Sequence, residues 1–253
     1  MSLARRFVIA FAALAAGLGM GLIALEPAAA QSLSLDLGDS GGEATGRIVQ
    51  IMALLTVLSL APSILVMVTS FTRIVVVLSF VRTALGTQNT PPNQVLISLA
   101  LFLTLFVMMP TMEQAYDTGI KPLIAGDIDE EQAFERTVQP VRSFMMDHVR
   151  PQDLAMFVDM AQLPDGDALQ EAMPLRVLIP AFMVSELRRA FEIGFLIFVP
   201  FLIIDMVVAS VLMSMGMMML PPVVISLPFK MIFFVLVDGW YLVVGSLVRS
   251  FGP

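Results

Sequence analysis

The 253-residue chain has no cysteine, one histidine and one tryptophan, and only 14% of its residues are charged. Without cysteine there is no disulfide, no thiolate metal site and no cysteine nucleophile. A single histidine, His148, makes no metal site by itself and reads as a solvated surface residue. No glycine-rich phosphate loop, no nucleophile paired with a base and no metal-ligand spacing is present. The sequence therefore points to no enzyme, no cofactor and no metal. A formal charge of −7 leaves no basic surface for phosphate, so nucleic acid is excluded as a partner.

The chain is rich in apolar residues, with 58% hydrophobic composition and a mean hydropathy of +0.89. Those values belong to an integral membrane protein. The expected fold is all-α: kinked helical hairpins in contact with membrane lipids, with a small helical extramembrane insertion. Five regions follow from the composition. Residues 1–30 join Arg5 and Arg6 to an apolar stretch and an Ala-x-Ala site, the pattern of a cleavable signal peptide; an uncleaved first span is the alternative. Residues 31–46 are rich in Ser, Gly and Asp and read as a flexible polar segment. Residues 47–110 read as a first hairpin, with one helix from Ile48 to about Phe71, kinked at Pro62, and a second from Val95 to Met109 ended by Pro110. The stretch Ile74–Val81 reads as a continuation of the first helix. Between Thr111 and Leu178 thirteen acidic residues face five basic ones. This region, 111–179, reads as acidic, helical and periplasmic, with amphipathic segments at Asp129–Arg142 and Gln152–Gln162 divided by prolines.

Residues 180–253 form a second hairpin whose tip, Met215 to Pro222, holds four of the twenty methionines. Methionine is unbranched and polarizable, so a cluster of it can close against many shapes; the alternative is ordinary lipid- or core-facing side chains. Prolines at 62, 200, 221, 222 and 228 are the expected helix breaks. Four charges precede the apolar run: Glu186 and Arg189 are spaced i,i+3, and Arg188 and Glu192 i,i+4, so each pair can meet on one helix. Asp205, Lys230 and Asp238 lie inside apolar stretches and need partners. Counted as helical rise from the tip, Asp205 lies at about 22 Å, Asp238 at about 25 Å and Lys230 at about 13 Å. Lys230 is thus left without an acid at its own depth, which suggests pairing with a neighbouring subunit or with a shifted helix. Snorkelling to an interface is the alternative.

Two blocks carry a specific resemblance. The first runs through Pro180-Ala181-Phe182, Ser185-Glu186-Leu187, Ala190 to Phe195, Pro200-Phe201 and Ile204-Asp205. The second comprises Met215-Gly216-Met217-Met218-Met219, Pro221-Pro222, Ser226 to Lys230 and Val237 to Trp240. Together they resemble the flagellar biosynthetic protein FliP family. The resemblance implies a subunit of a type III export gate in the bacterial inner membrane, at the flagellar basal body, projecting to the periplasmic side. It implies a pentamer of like subunits joined by FliQ- and FliR-type proteins, with unfolded flagellar export substrates passing through the centre. Met215, Met217, Met218 and Met219 would form a gasket at the constriction. Glu186, Arg188, Arg189, Glu192, Asp205, Lys230 and Asp238 would hold subunits or helices together. From the residues alone, a secondary transporter or ion channel remains the alternative, on the strength of broken helices carrying an acid and a lysine.

Overall fold

The computed structural model describes residues 41–87, 89–163, 173–217 and 219–252, and every regular element in them is helical. Contacts divide the chain at residues 58 and 59 into two units. The first is described only as the beginning of helix α1, Gly41–Val68, so helix already occupies the end of the stretch read as flexible and polar. The segment read as a signal peptide, 1–30, lies outside the described residues.

The second unit holds the remaining helices: α2, Phe71–Ala84; α3, Asn93–Ala115; α4, Lys121–Ala125; α5, Glu130–His148; α6, Pro151–Met160; α7, Leu175–Ser214; α8, Pro222–Leu236; and α9, Gly239–Arg249. Asn93–Ala125 and Leu175–Ser214 are each long and apolar enough to cross a membrane, and two bent pairs raise the possible spans to four. The protein is therefore an all-α, membrane-associated chain.

Several boundaries differ from the sequence reading. Helix α2 does not continue α1, because Pro62–Val68 and Phe71–Ala84 meet at 81°. The bend falls at Thr69–Ser70 rather than at Pro62. There the Thr69 hydroxyl donates to the Leu65 carbonyl at 2.7 Å and the Thr72 hydroxyl to the Val66 carbonyl at 3.0 Å. These side chains satisfy carbonyls that a continuing helix would have bonded through its backbone, so the chain can turn at little cost. Pro62, Pro200 and Pro228 all lie inside continuous helices, which corrects their reading as breaks. A helical proline forfeits one backbone bond, and a helix held on both sides of it can absorb that loss. Pro221 and Pro222 do mark a boundary, at the cap and first residue of α8, where a missing N–H costs nothing. Pro110 likewise fails to end α3, which passes through a π-turn at Tyr116–Ile120 into α4. The descending arm of the second hairpin is not one helix but two, α8 and α9, bent by 62° at Asp238.

Both amphipathic segments are helical, but the first runs past Arg142 to His148. Asp129 caps α5 by accepting the Gln132 N–H at 2.8 Å, and Glu130 and Glu131 occupy its positive first turn. Pro140 sits inside α5 and does not divide it. Helix α5 turns Phe144 and Met145 toward Leu178, Ala181 and Phe182 of α7, joined by Met108 of α3. A second cluster joins Ile74, Val77 and Leu78 of α2 to Leu96 and Ala100 of α3, Ala190 of α7 and Leu247 of α9. Helix α7 runs through both clusters. It approaches α2 closely at Gly194, where an added Cβ would meet the Phe80 ring at 2.4 Å.

Candidate functional site

Charged residues occupy successive levels along α7, and the partnering changes from one level to the next. At the first level Arg73 of α2 and Glu186 of α7 are almost entirely buried. The Arg73 Nε donates to Glu186 Oε2 at 2.9 Å, and Arg73 Nη2 bonds Glu186 Oε1. Arg73 Nη1 reaches the carbonyl and hydroxyl oxygens of Ser250 at 3.1 and 3.0 Å, while the Phe251 ring lies 3.7 Å from the guanidinium carbon. A buried charge is tolerable only when its hydrogen-bonding capacity is met, and this one is met by a bidentate carboxylate, a backbone oxygen and an aromatic face. The expected meeting of Glu186 with Arg189 is therefore replaced by a partner 113 residues away. Beside it, the Ser185 hydroxyl donates to Asp153 Oδ2 at 2.7 Å and accepts the Arg150 N–H at 3.0 Å, tying the start of α6 to α7.

One turn on, Arg188 Nε meets Glu192 Oε1 at 3.1 Å as the i,i+4 spacing indicates, with both side chains more than half exposed. An exposed pair of this type contributes little to stability. Arg189 has no ion-pair partner among the described residues.

Deeper along α7, Asp205 Oδ2 accepts from Lys230 Nζ of α8 at 2.6 Å, and Ser226 bonds Asp205 Oδ1. Lys230 thus has an acid in its own chain, which corrects the expectation of a neighbouring subunit's acid and agrees with the alternative of a shifted helix. The error lay in counting helical rise through the tip. Helix α7 ends at Ser214 and α8 begins at Pro222, so residues 215–221 contribute no helical rise. Measured from the helix ends, Asp205 and Lys230 are level. Asp238, expected opposite Asp205, sits instead at the α8–α9 bend with a left-handed backbone, φ 51° and ψ 53°, and has no side-chain partner among the described residues.

Beyond this pair the hairpin ends in the methionine loop. Helix α7 stops in a paired carbonyl cap: Met217 N–H bonds the Leu212 carbonyl at 3.0 Å and Gly216 N–H the Met213 carbonyl at 3.1 Å. Gly216 supplies the φ of +76° that this cap needs, and no atom lies near enough to forbid a side chain on packing grounds. Met215 is mostly exposed, Met217 more than half covered, and Met219 98% exposed. Met218 lies outside the described residues. The loop offers no acid, base or nucleophile, so what it can do is make apolar contact.

Two participants escaped the sequence reading. Arg73 directly precedes the stretch Ile74–Val81, and nothing local in sequence links it to Glu186. Ser226 belongs to the second motif block and stands four residues before Lys230, on the same face of α8, which is the spacing that could have linked it to the pair.

The family model described as the FliP family matches residues 54–247. The flagellar biosynthetic protein FliP of Caulobacter vibrioides is 62% identical over 231 residues, covering 90% of this chain and 86% of that protein. The protein of the same name from Bacillus subtilis is 56% identical over 212 residues, covering 84% and 96%. The one from Aquifex aeolicus is 53% identical over 205 residues, covering 80% and 85%. With a match across both hairpins and relatives of this similarity over most of their own length, the chain belongs to the FliP family.

Proposed function

We propose that this chain is a subunit of the flagellar protein-export gate, and that like copies bring their methionine loops together as the compliant seal of a pore for unfolded flagellar proteins. Its relatives are named for flagellar biosynthesis, and its role is in export, not in catalysis. The observation that carries the pore reading is the contrast at the hairpin tip. Asp205, Lys230 and Ser226 brace α7 against α8, while Met215 and Met219 beyond them contact little of their own chain. A braced stem presenting soft apolar side chains suits a seal that must close on itself and yield to varied segments. The large exposed apolar surface of α7 and α8 supports assembly, which the family resemblance would make a homo-pentamer with FliQ- and FliR-type partners. The location that follows is the inner membrane at the basal body, with a projection to the periplasmic side. The acidic region 111–179 is assigned to that side, and residues 1–30 to a cleaved signal. Glu186, Arg188, Arg189, Glu192, Asp205, Lys230 and Asp238 hold helices or subunits together.

The test replaces Met217, Met218 and Met219 together by alanine in the full complex. Assembly is expected to be intact and resting ion conductance across the membrane to rise. Unchanged conductance in a normally assembled complex would remove the seal.

A further inference from the structure

The two arms of the second hairpin are weakest at the same level, where they share a cavity. In α7 the weak point is Pro200. It has no N–H for the Leu196 carbonyl, so the helix continues there one bond short. In the other arm it is the 62° bend between α8 and α9, where Asp238 takes φ 51° and ψ 53° and its side chain caps nothing. A left-handed aspartate is uncommon, and the contacts around it must hold it in place. Pro200, Val237 and Gly239 all line one apolar cavity of about 250 Å³, which leaves both weak points room to flex.

On either side of this level the chain is fastened. Toward the end of α9, Leu247 is buried among α2, α3 and α7, Ser250 bonds Arg73, and Phe251 covers that guanidinium. Toward the tip, Asp205 holds Ser226 and Lys230, and Phe201 packs edge-on to Phe233 with centroids 6.0 Å apart. Residues 201–236 therefore make a braced tip that carries the methionine loop. The tip rests on the end of α2: Val81, Ala84 and Leu85 meet Phe201 and Phe234, and a Cβ on Gly86 would lie 3.9 Å from Leu227. That contact is apolar, so it parts without stranding a buried polar group.

We infer that Pro200 and the Asp238–Gly239 bend are paired hinges on which residues 201–236 swing as one body off the end of α2, carrying the methionine loop between closed and open positions. The inference rests on the seal proposed above and supplies its moving part. Hinges are a few residues that absorb the change in backbone angle, while what lies beyond them keeps its contacts. Asp205 and Lys230 thus stay paired throughout, and Arg73 and Glu186 stay in the base. Helix α8 has 15 residues and spans about 22 Å, so a swing of about 10° moves the tip by about 4 Å. A shift of that size is a full side-chain contact distance, enough to part methionines that meet.

Without cysteine in the chain, spin labels go only where they are placed. Full-length chains carry either T83C with V224C, which spans from the end of α2 to the tip, or M206C with V224C, both within the tip; all three sites are exposed. Each is diluted about tenfold with parent chain in the complex with the FliQ- and FliR-type proteins. Distances are read by electron resonance at rest and with an export substrate arrested by a fused folded domain. The T83C–V224C distance is expected to lengthen by about 4 Å and the M206C–V224C distance to stay fixed. In parallel, P200A restores the missing N–H; it is expected to assemble normally and to export about threefold or more slowly. A fixed T83C–V224C distance while the arrested substrate raises conductance would overturn the hinges and leave the seal standing. A changed M206C–V224C distance, or export at the parent rate from P200A, would overturn the paired hinges as well. A lengthened T83C–V224C distance with no rise in conductance would keep the swing and remove the seal.

Discussion

The two ends of α7 are built on opposite terms. Near its start, Ser185 and Glu186 are wholly buried, and each polar group has a partner on a distant element: α2, the start of α6, or the chain after α9. At its end, Met215 and Met219 are mostly exposed, and the loop's hydrogen bonds among the described residues are backbone ones that close the helix and turn the loop. One helix therefore carries both the part of the fold that the chain completes for itself and the part that it leaves for others. The Asp205–Lys230 pair lies between them in position and in character, with Lys230 buried and Asp205 about a quarter exposed.

Substitutions should grade along that axis. The largest effect is expected for Glu186→Ala, which leaves Arg73 charged and unpaired in the core. Loss of about 3–5 kcal/mol should appear as poor accumulation and early unfolding in detergent. Removing both charges, as Arg73→Met with Glu186→Leu, should recover much of that loss, since the penalty comes from the orphan and not from absence of the pair. Asp205→Ala strands Lys230 closer to the open end, where water or a partner can reach it, and should cost about 1–3 kcal/mol by the same measurement. Gly216→Ala meets no clash but forces a left-handed alanine, so a loss of about 1 kcal/mol is expected, with the helix end frayed. Met219→Ala should change the stability of the isolated chain by less than about 0.5 kcal/mol, and show itself only as conductance in the assembled complex. Equal losses for Glu186→Ala and Met219→Ala would erase the contrast. A Met219 variant that is neutral in stability and leaky in the membrane would make it sharper.

What was legible beforehand was whatever depends on neighbours in sequence. The Asp129 cap, the amphipathic α5 and α6, the Arg188–Glu192 pair and the two FliP-family blocks all declare themselves within a few residues. The prolines misled for the same reason. A proline weakens one bond in its own helix, but whether the chain turns there is set by what grips it on either side. Thr69 and Thr72 supply carbonyl partners at a different place, and Arg73 is drawn into the core directly after it. Lys230 was mispaired because a linear count cannot tell which residues of a tip are helical.

By itself, then, the sequence determined that this is an all-α membrane protein of the FliP family and located its soft, methionine-rich tip. Hydropathy and local spacing are sums over adjacent residues. Only the tertiary structure decided that Glu186 answers Arg73, that Asp205 answers Lys230 and that Asp238 has no side-chain partner among the described residues. Ion-pair partners are chosen by where helices end and how they cross, and those depend on packing across the whole unit.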